Sequence, residues 1–139
     1  MSTNRIIVKG ADFSQVAIEQ EAFTTEVAVD FNWDILGKYI SLNTGDEVAL
    51  DTWNISNYIT LPNNLISING KIYGYPTAAN IACYNDSNEY LGGFAASVGT
   101  NSYNYKSSLF PDGTTKIRLC SDMDTDKTLI VSLNFVLPG

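Results

Sequence analysis

The chain contains no histidine among its 139 residues. Histidine is the side chain that changes charge near neutral pH and the commonest metal ligand, so its absence excludes Ser-His-Asp and Cys-His catalysis together. The cysteines, Cys83 and Cys120, lie in separate apolar segments, and no CxxC or Cys/His spacing of a zinc site occurs. Small buried hydrophobes are the expected reading for both, with a disulfide as the alternative. Asp122, Asp124 and Asp126 alternate like the opening of a calcium loop. Lys127 then stands where an EF-hand needs Gly, and Leu133 where it needs Glu. A solvated hairpin loop is expected there, with a weak calcium site as the alternative; no metal and no cofactor is assigned. Paired carboxylates could act as in glycosidases, but most acids sit in turns or beside strand ends. The chain therefore reads as a binding or assembly protein and not as an enzyme.

Aromatic side chains are the other chemistry on offer: eight Tyr, six Phe and two Trp. Trp33 and Trp53 lie close to strand-like segments and are expected in the core. Tyr73 and Tyr75 share a face by their two-residue spacing. Asn101, Tyr103, Asn104 and Tyr105 combine ring faces with amides, the pairing that sugar hydroxyls and C–H faces require. They are the candidate ligand-binding residues, expected on a polar loop at one end of the fold. The competing reading packs these tyrosines against a sheet edge or a neighbouring subunit.

The elements that must position these residues are strands. Residues 26–31 alternate with a period of two, placing Val27, Val29 and Phe31 on one face. Residues 39–42 and 47–50 flank Asn43, Thr44, Gly45 and Asp46, a hairpin signature. Residues 57–62 form a strand that Pro62 ends. Residues 65–75 form a longer stretch expected to break at Gly70. Asn85, Asp86, Ser87 and Asn88 make the next turn. At the following one Pro111 presets φ and Gly113 accepts a positive value. Residues 116–120 and 129–137 close the domain. About nine strands at 8–12-residue spacing indicate an all-β, antiparallel β-sandwich, one domain over residues 25–139. Residues 1–24 are expected to form an N-terminal arm for attachment and assembly. Residues 16–23 within it fit either a short helix or an extended segment.

Composition bounds the partners. The net charge is −7 and the pI about 4.3, with eight scattered basic residues. Phosphate binding needs clustered Lys and Arg, so no nucleic-acid partner is expected. Charged residues at 17% fall below the usual ~25%, and Asn, Ser, Thr and Gly fill the gap. Neutral glycans and other proteins remain as partners. Ile6, Ile7 and Val8 are too short an apolar run for a signal-peptide core. No stretch approaches the ~18 apolar residues of a membrane span. Synthesis in the cytoplasm, with no membrane partner, is expected.

Three stretches resemble a known module: residues 6–14, with Ile6, Ile7, Val8 and Phe13; residues 81–91, with the Asn/Asp turn; and residues 111–120, where Pro111 and Gly113 precede Ile117, Arg118 and Leu119. With the strands at Tyr39 and Tyr58, they resemble the small β-sandwich modules of tail, fibre and head-appendage proteins. Those proteins belong to phages of gut Bacteroidota, the crAss-like phages included. The resemblance covers most of the chain and implies a jelly-roll or galactose-binding-like sandwich on a virion surface. It also implies a homo-oligomer, a trimer before a dimer, bound to capsid or tail proteins and holding host surface glycans. Ile6, Ile7, Val8 and Phe13 would then be the attachment residues. The chain starts with Met1 and ends just after a strand, so a small head-fibre or capsid-decoration subunit is expected before a long fibre. A bacterial carbohydrate-binding module or adhesin is the alternative.

Overall fold

The computed structural model describes residues 22–124 and 127–136. The expected attachment residues Ile6, Ile7, Val8 and Phe13 lie outside them. Among the described residues ten strands run in order: β1 (Ala22–Ala28), β2 (Trp33–Ile40), β3 (Glu47–Ser56), β4 (Ile59–Thr60) and β5 (Leu65–Gly74). Then follow β6 (Ile81–Tyr84), β7 (Tyr90–Phe94), β8 (Gly99–Lys106), β9 (Lys116–Asp122) and β10 (Ile130–Val136). A three-residue 3₁₀ turn, Ser107–Leu109, is the one helical element among the described residues.

The strands form two antiparallel sheets, β1-β10-β5-β8 and β2-β3-β9-β6-β7, with β4 on the same flank of β9 as β3. Strand β4 continues the line of β3 after a break at Asn57 and Tyr58. Without the edge strand β2 and the short β4, eight strands remain. Numbered along the chain, they fall in the orders 1-8-3-6 and 2-7-4-5, which is the strand order of a jelly roll. The expected all-β sandwich is the fold observed.

The turns form where their residues dictate. Gly45 and Gly113 adopt φ of +78° and +87°, values that cost other residues a Cβ clash. Asn88 also takes a positive φ, 61°, while Asn85 Oδ1 accepts from the amides of Ser87 and Glu89 at 2.9 and 3.0 Å. That Asx turn reverses β6 into β7.

Three local expectations need correction. Strand β1 begins at Ala22, inside the segment assigned to the arm, and stops at Ala28. Its register with β10 runs from Ala22↔Val136 to Ala28↔Ile130, so the partner strand sets its extent. Val29 and Phe31 pack on the core, while Val27 is exposed. Strand β5 passes unbroken through Gly70. Glycine stands there because a Cβ would come within 2.0 Å of the Thr128 carbonyl oxygen, a close backbone approach and not a break. Residues 101–105 are strand, not loop: they lie within β8, paired with β5 from Ser67↔Lys106 to Gly74↔Gly99.

Alternation along β9 and β6 divides the apolar residues into two clusters. Ile117, Leu119, Ile81 and Cys83 face the other sheet and meet Ile68, Ile72, Tyr103 and Val131. Ala82, Tyr84 and Cys120 point the opposite way and are buried as well, with Ile40, Trp53 and Ile55. The tip of the β2–β3 hairpin covers this outward face. Its Leu42 amide donates to Thr77 O at 2.9 Å, and Leu42 O accepts from the Tyr90 hydroxyl at 2.6 Å. Both cysteines are free and buried, one in each cluster.

Candidate functional site

Loops collect at the two ends of the sandwich, and each end carries a cleft. The β1–β2 connection and the β9–β10 loop enclose the first, with a volume of about 490 Å³. That is within the ~300–1,000 Å³ of small-molecule sites. Its walls include Asp30, Phe31, Trp33, Met123, Lys127 and Thr128.

Much of the wall is held by identifiable contacts. Val29 N donates to Leu129 O at 2.9 Å, which extends the β1–β10 pairing to the mouth of the cleft. Asn32 N donates to Asn57 Oδ1 and Asn32 O accepts from Asn57 N, both at 2.9 Å. These bonds fix the entry into β2 and hence Trp33. The Phe31 and Trp33 rings meet edge to face, 5.3 Å between centroids. Lys127 Nζ sits 5.7 Å from the Trp33 ring centroid and 3.2 Å from Asp122 Oδ1. The ammonium is thus held between an aromatic face and a carboxylate. Thr128 is gripped from below: its amide donates to Lys71 O at 3.0 Å and its hydroxyl accepts from Lys71 N at 2.9 Å.

The arrangement offers a half-buried indole, a thioether at Met123, an exposed carboxylate at Asp30 and an anchored ammonium. This is a set for hydrogen-bonding a hydroxyl-rich ligand beside an aromatic ring. Asp122 already faces Lys127, so the expected alternative of a calcium loop meets a cation in place. Asp124 is exposed, 125 and 126 fall outside the described residues, and no group of three metal-ligating acids or thiols occurs among the described residues.

The ligand-binding residues expected from sequence are placed differently. Strand alternation puts Asn101, Tyr103 and Tyr105 on one face of β8 and Asn104 on the other. Tyr103 is 6% exposed, and its hydroxyl donates to Thr128 O at 2.7 Å. Tyr105 is stacked on Phe94 at 4.2 Å and lies 5.8 Å from the Tyr103 ring. Burial pushes both phenols above their ordinary pKa of 10.0. Asn101 Nδ2 donates to Ser97 O and Gly99 O at 2.6 and 2.8 Å. Their ring faces and amide are engaged within the chain, so these residues do not form a ligand surface together. Tyr103 instead braces the first cleft from inside, through Thr128. Trp33 was expected in the core and lines the cleft; no local pattern marks it, because the loop that completes the cleft comes from the far end of the chain.

The second cleft, about 540 Å³, lies at the opposite end, between the β4–β5, β6–β7 and β8–β9 connections. It is walled by polar groups including Asn63, Asp86 and Asp112, and its aromatic ring, Phe110, packs on Phe94 at 5.5 Å. The first cleft is the better candidate because it combines an indole with charged groups.

Fold and cleft together define a jelly-roll sandwich with a ligand-sized recess at one end. Compared with known proteins, the chain matches no family model, no curated protein and no solved structure.

Proposed function

We propose that this chain is a virion structural subunit of head-fibre or capsid-decoration type, and that the Trp33 cleft holds host glycans. The jelly-roll order carries the reading, since viral capsid and lectin domains are built on it. The cleft supports the glycan part: an indole, a free carboxylate and a fixed ammonium suit a sugar ring and its hydroxyls. Each site is shallow, so many copies on one particle supply avidity. Assembly runs through the N-terminal arm, with Ile6, Ile7, Val8 and Phe13 docking on a neighbouring copy or on the capsid.

Peptide mass spectrometry of purified particles tests the virion assignment. The chain should be present in many copies and should co-sediment with capsid proteins; its absence from particles overturns the assignment. Light scattering on the full-length and arm-deleted chains tests assembly, with a trimer or dimer expected for the first and a monomer for the second. A bacterial carbohydrate-binding module is the second reading, favoured by the same cleft because lectins share the fold.

A further inference from the structure

Arg118 projects from β9 on the face turned away from the inter-sheet core, as the inward placement of Ile117 and Leu119 requires. It is 6% exposed. Its Nε donates to Ser56 O at 2.8 Å, and its guanidinium lies 4.3 Å from the Tyr58 ring centroid. No acid among the described residues lies within ion-pair distance: the pairs formed are Lys38–Glu47 and Lys127–Asp122. Neither η nitrogen has a hydrogen bond to a described residue, yet neither is sealed from solvent. A guanidinium this buried is ordinarily paired, because desolvating a charge without a counter-charge is costly.

Its neighbours extend the pattern. Lys116, two residues along β9, has its Nζ 6.0 Å from the same Tyr58 ring. It donates to Asn88 Oδ1 at 2.9 Å and Asp86 O at 3.3 Å, both neutral acceptors. Tyr84 packs edge to face on Tyr58 at 5.0 Å. The hydroxyls of Tyr58 and Tyr84 have no hydrogen-bond partner among the described residues, and neither is enclosed. Two cations therefore flank the Tyr58 ring, with Tyr84 packed against it, in a chain whose net charge is −7.

We propose that Arg118 recognises the carboxylate of an acidic sugar, with Lys116 adding charge and the phenols of Tyr58 and Tyr84 meeting the sugar hydroxyls. Stacking on Tyr58 and the bond to Ser56 fix the guanidinium plane, leaving its outer edge for a two-pronged contact with a planar carboxylate. The phenol-bearing rings of Tyr58 and Tyr84 beside the guanidinium, in place of aliphatic side chains, favour a sugar over an acidic peptide side chain. The proposal goes beyond the glycan reading of the Trp33 cleft: it adds a second site at a separate place and names its sugar class.

The test is a titration of the full chain with glucuronate, glucose, acetate and a glutamate-containing peptide, followed by NMR at the Arg118 Nε–Hε group and the Leu119 amide. Glucuronate should shift both saturably in the millimolar range, and glucose should shift neither. Arg118→Lys should weaken glucuronate at least ~10-fold, because an ammonium cannot reproduce the fork. Lys116→Gln should weaken it ~2–5-fold, as for an exposed charge. No saturable shift with glucuronate overturns the proposal, and the wild-type titration gives that result whether or not the variants fold. Equal affinity for acetate or the peptide overturns the sugar assignment. No glucuronate shift at wild-type Arg118, with sugar binding intact at Trp33, overturns this proposal and leaves the cleft standing.

Discussion

Asn80 is 1% exposed, and its amide makes four hydrogen bonds. Nδ2 donates to Tyr73 O at 2.9 Å and Cys120 O at 2.8 Å; Oδ1 accepts from Tyr75 N at 3.3 Å and Ala96 N at 3.0 Å. One side chain thus ties the end of β5, the β7–β8 connection and β9 where the chain crosses between sheets. Asn80→Ala leaves two amide hydrogens without these partners, while Tyr73 O keeps the Ser121 hydroxyl at 3.1 Å. At ~1–3 kcal/mol for each unsatisfied buried group, the expected loss is about 3–4 kcal/mol. That is a large share of the ~5–15 kcal/mol of a typical domain. Asn80→Asp keeps the oxygen that accepts from Tyr75 N and Ala96 N but turns a second oxygen toward two carbonyls. Burial and those carbonyls raise its folded-state pKa above the ~3.9 of an unfolded Asp. The stability that its protonated form supplies is present below pH ~4 and is lost as pH rises through the folded value. Urea unfolding followed by tryptophan fluorescence measures both variants. A loss under ~1 kcal/mol for Asn80→Ala at unchanged m-value, or an Asn80→Asp deficit that narrows with rising pH, refutes the reasoning.

Other predictions follow from the same packing. Gly70→Ala places a methyl 2.0 Å from Thr128 O, so it should cost about 1–3 kcal/mol and displace the loop behind Trp33, seen as a shift in tryptophan emission. Tyr103→Phe removes the bond to Thr128 O and should cost about 0.5–1.5 kcal/mol in urea unfolding, with the sandwich intact by circular dichroism. Burial pushes the Cys83 and Cys120 thiols from 9.0 up to about 12. Both should resist a thiol reagent at pH 8 until the chain is unfolded. Because the folded values are raised, this contribution to stability is full below pH 9 and declines as pH rises toward 12, which urea titrations across that range would show.

The sandwich was legible because its turns carry their own instructions. Gly45, Asn88 and Gly113 each take the positive φ that their residue types allow, and the period-two segments between them could pair. Strand β8 reads as loop in sequence because Asn and Gly are depleted in strands. Its alternation was nonetheless present, with Tyr103 and Tyr105 inward and Ser102 and Asn104 outward. Gly70 looked like a break because nothing near it in sequence reveals the Thr128 carbonyl. The cleft was the least legible part: Trp33 and Lys127 come from opposite ends of the chain, and topology alone brings them together. Arg118 stands in sequence as one residue of an Ile-Arg-Leu strand, and its lack of an acidic partner among the described residues is a fact of three-dimensional packing.

Glycan binding at Trp33 is the central claim, and one comparison tests it most directly. Multimerised wild-type protein, Trp33→Ala and Asn104→Ala would be applied to the same broad glycan array, with folding checked by circular dichroism. Wild type and Asn104→Ala should bind a shared subset of glycans, since Asn104 lies on the outward face of β8, and Trp33→Ala should lose at least ~10-fold, the equivalent of about 1.4 kcal/mol. Binding undiminished in Trp33→Ala, or silence of the wild type across the array, would contradict the account.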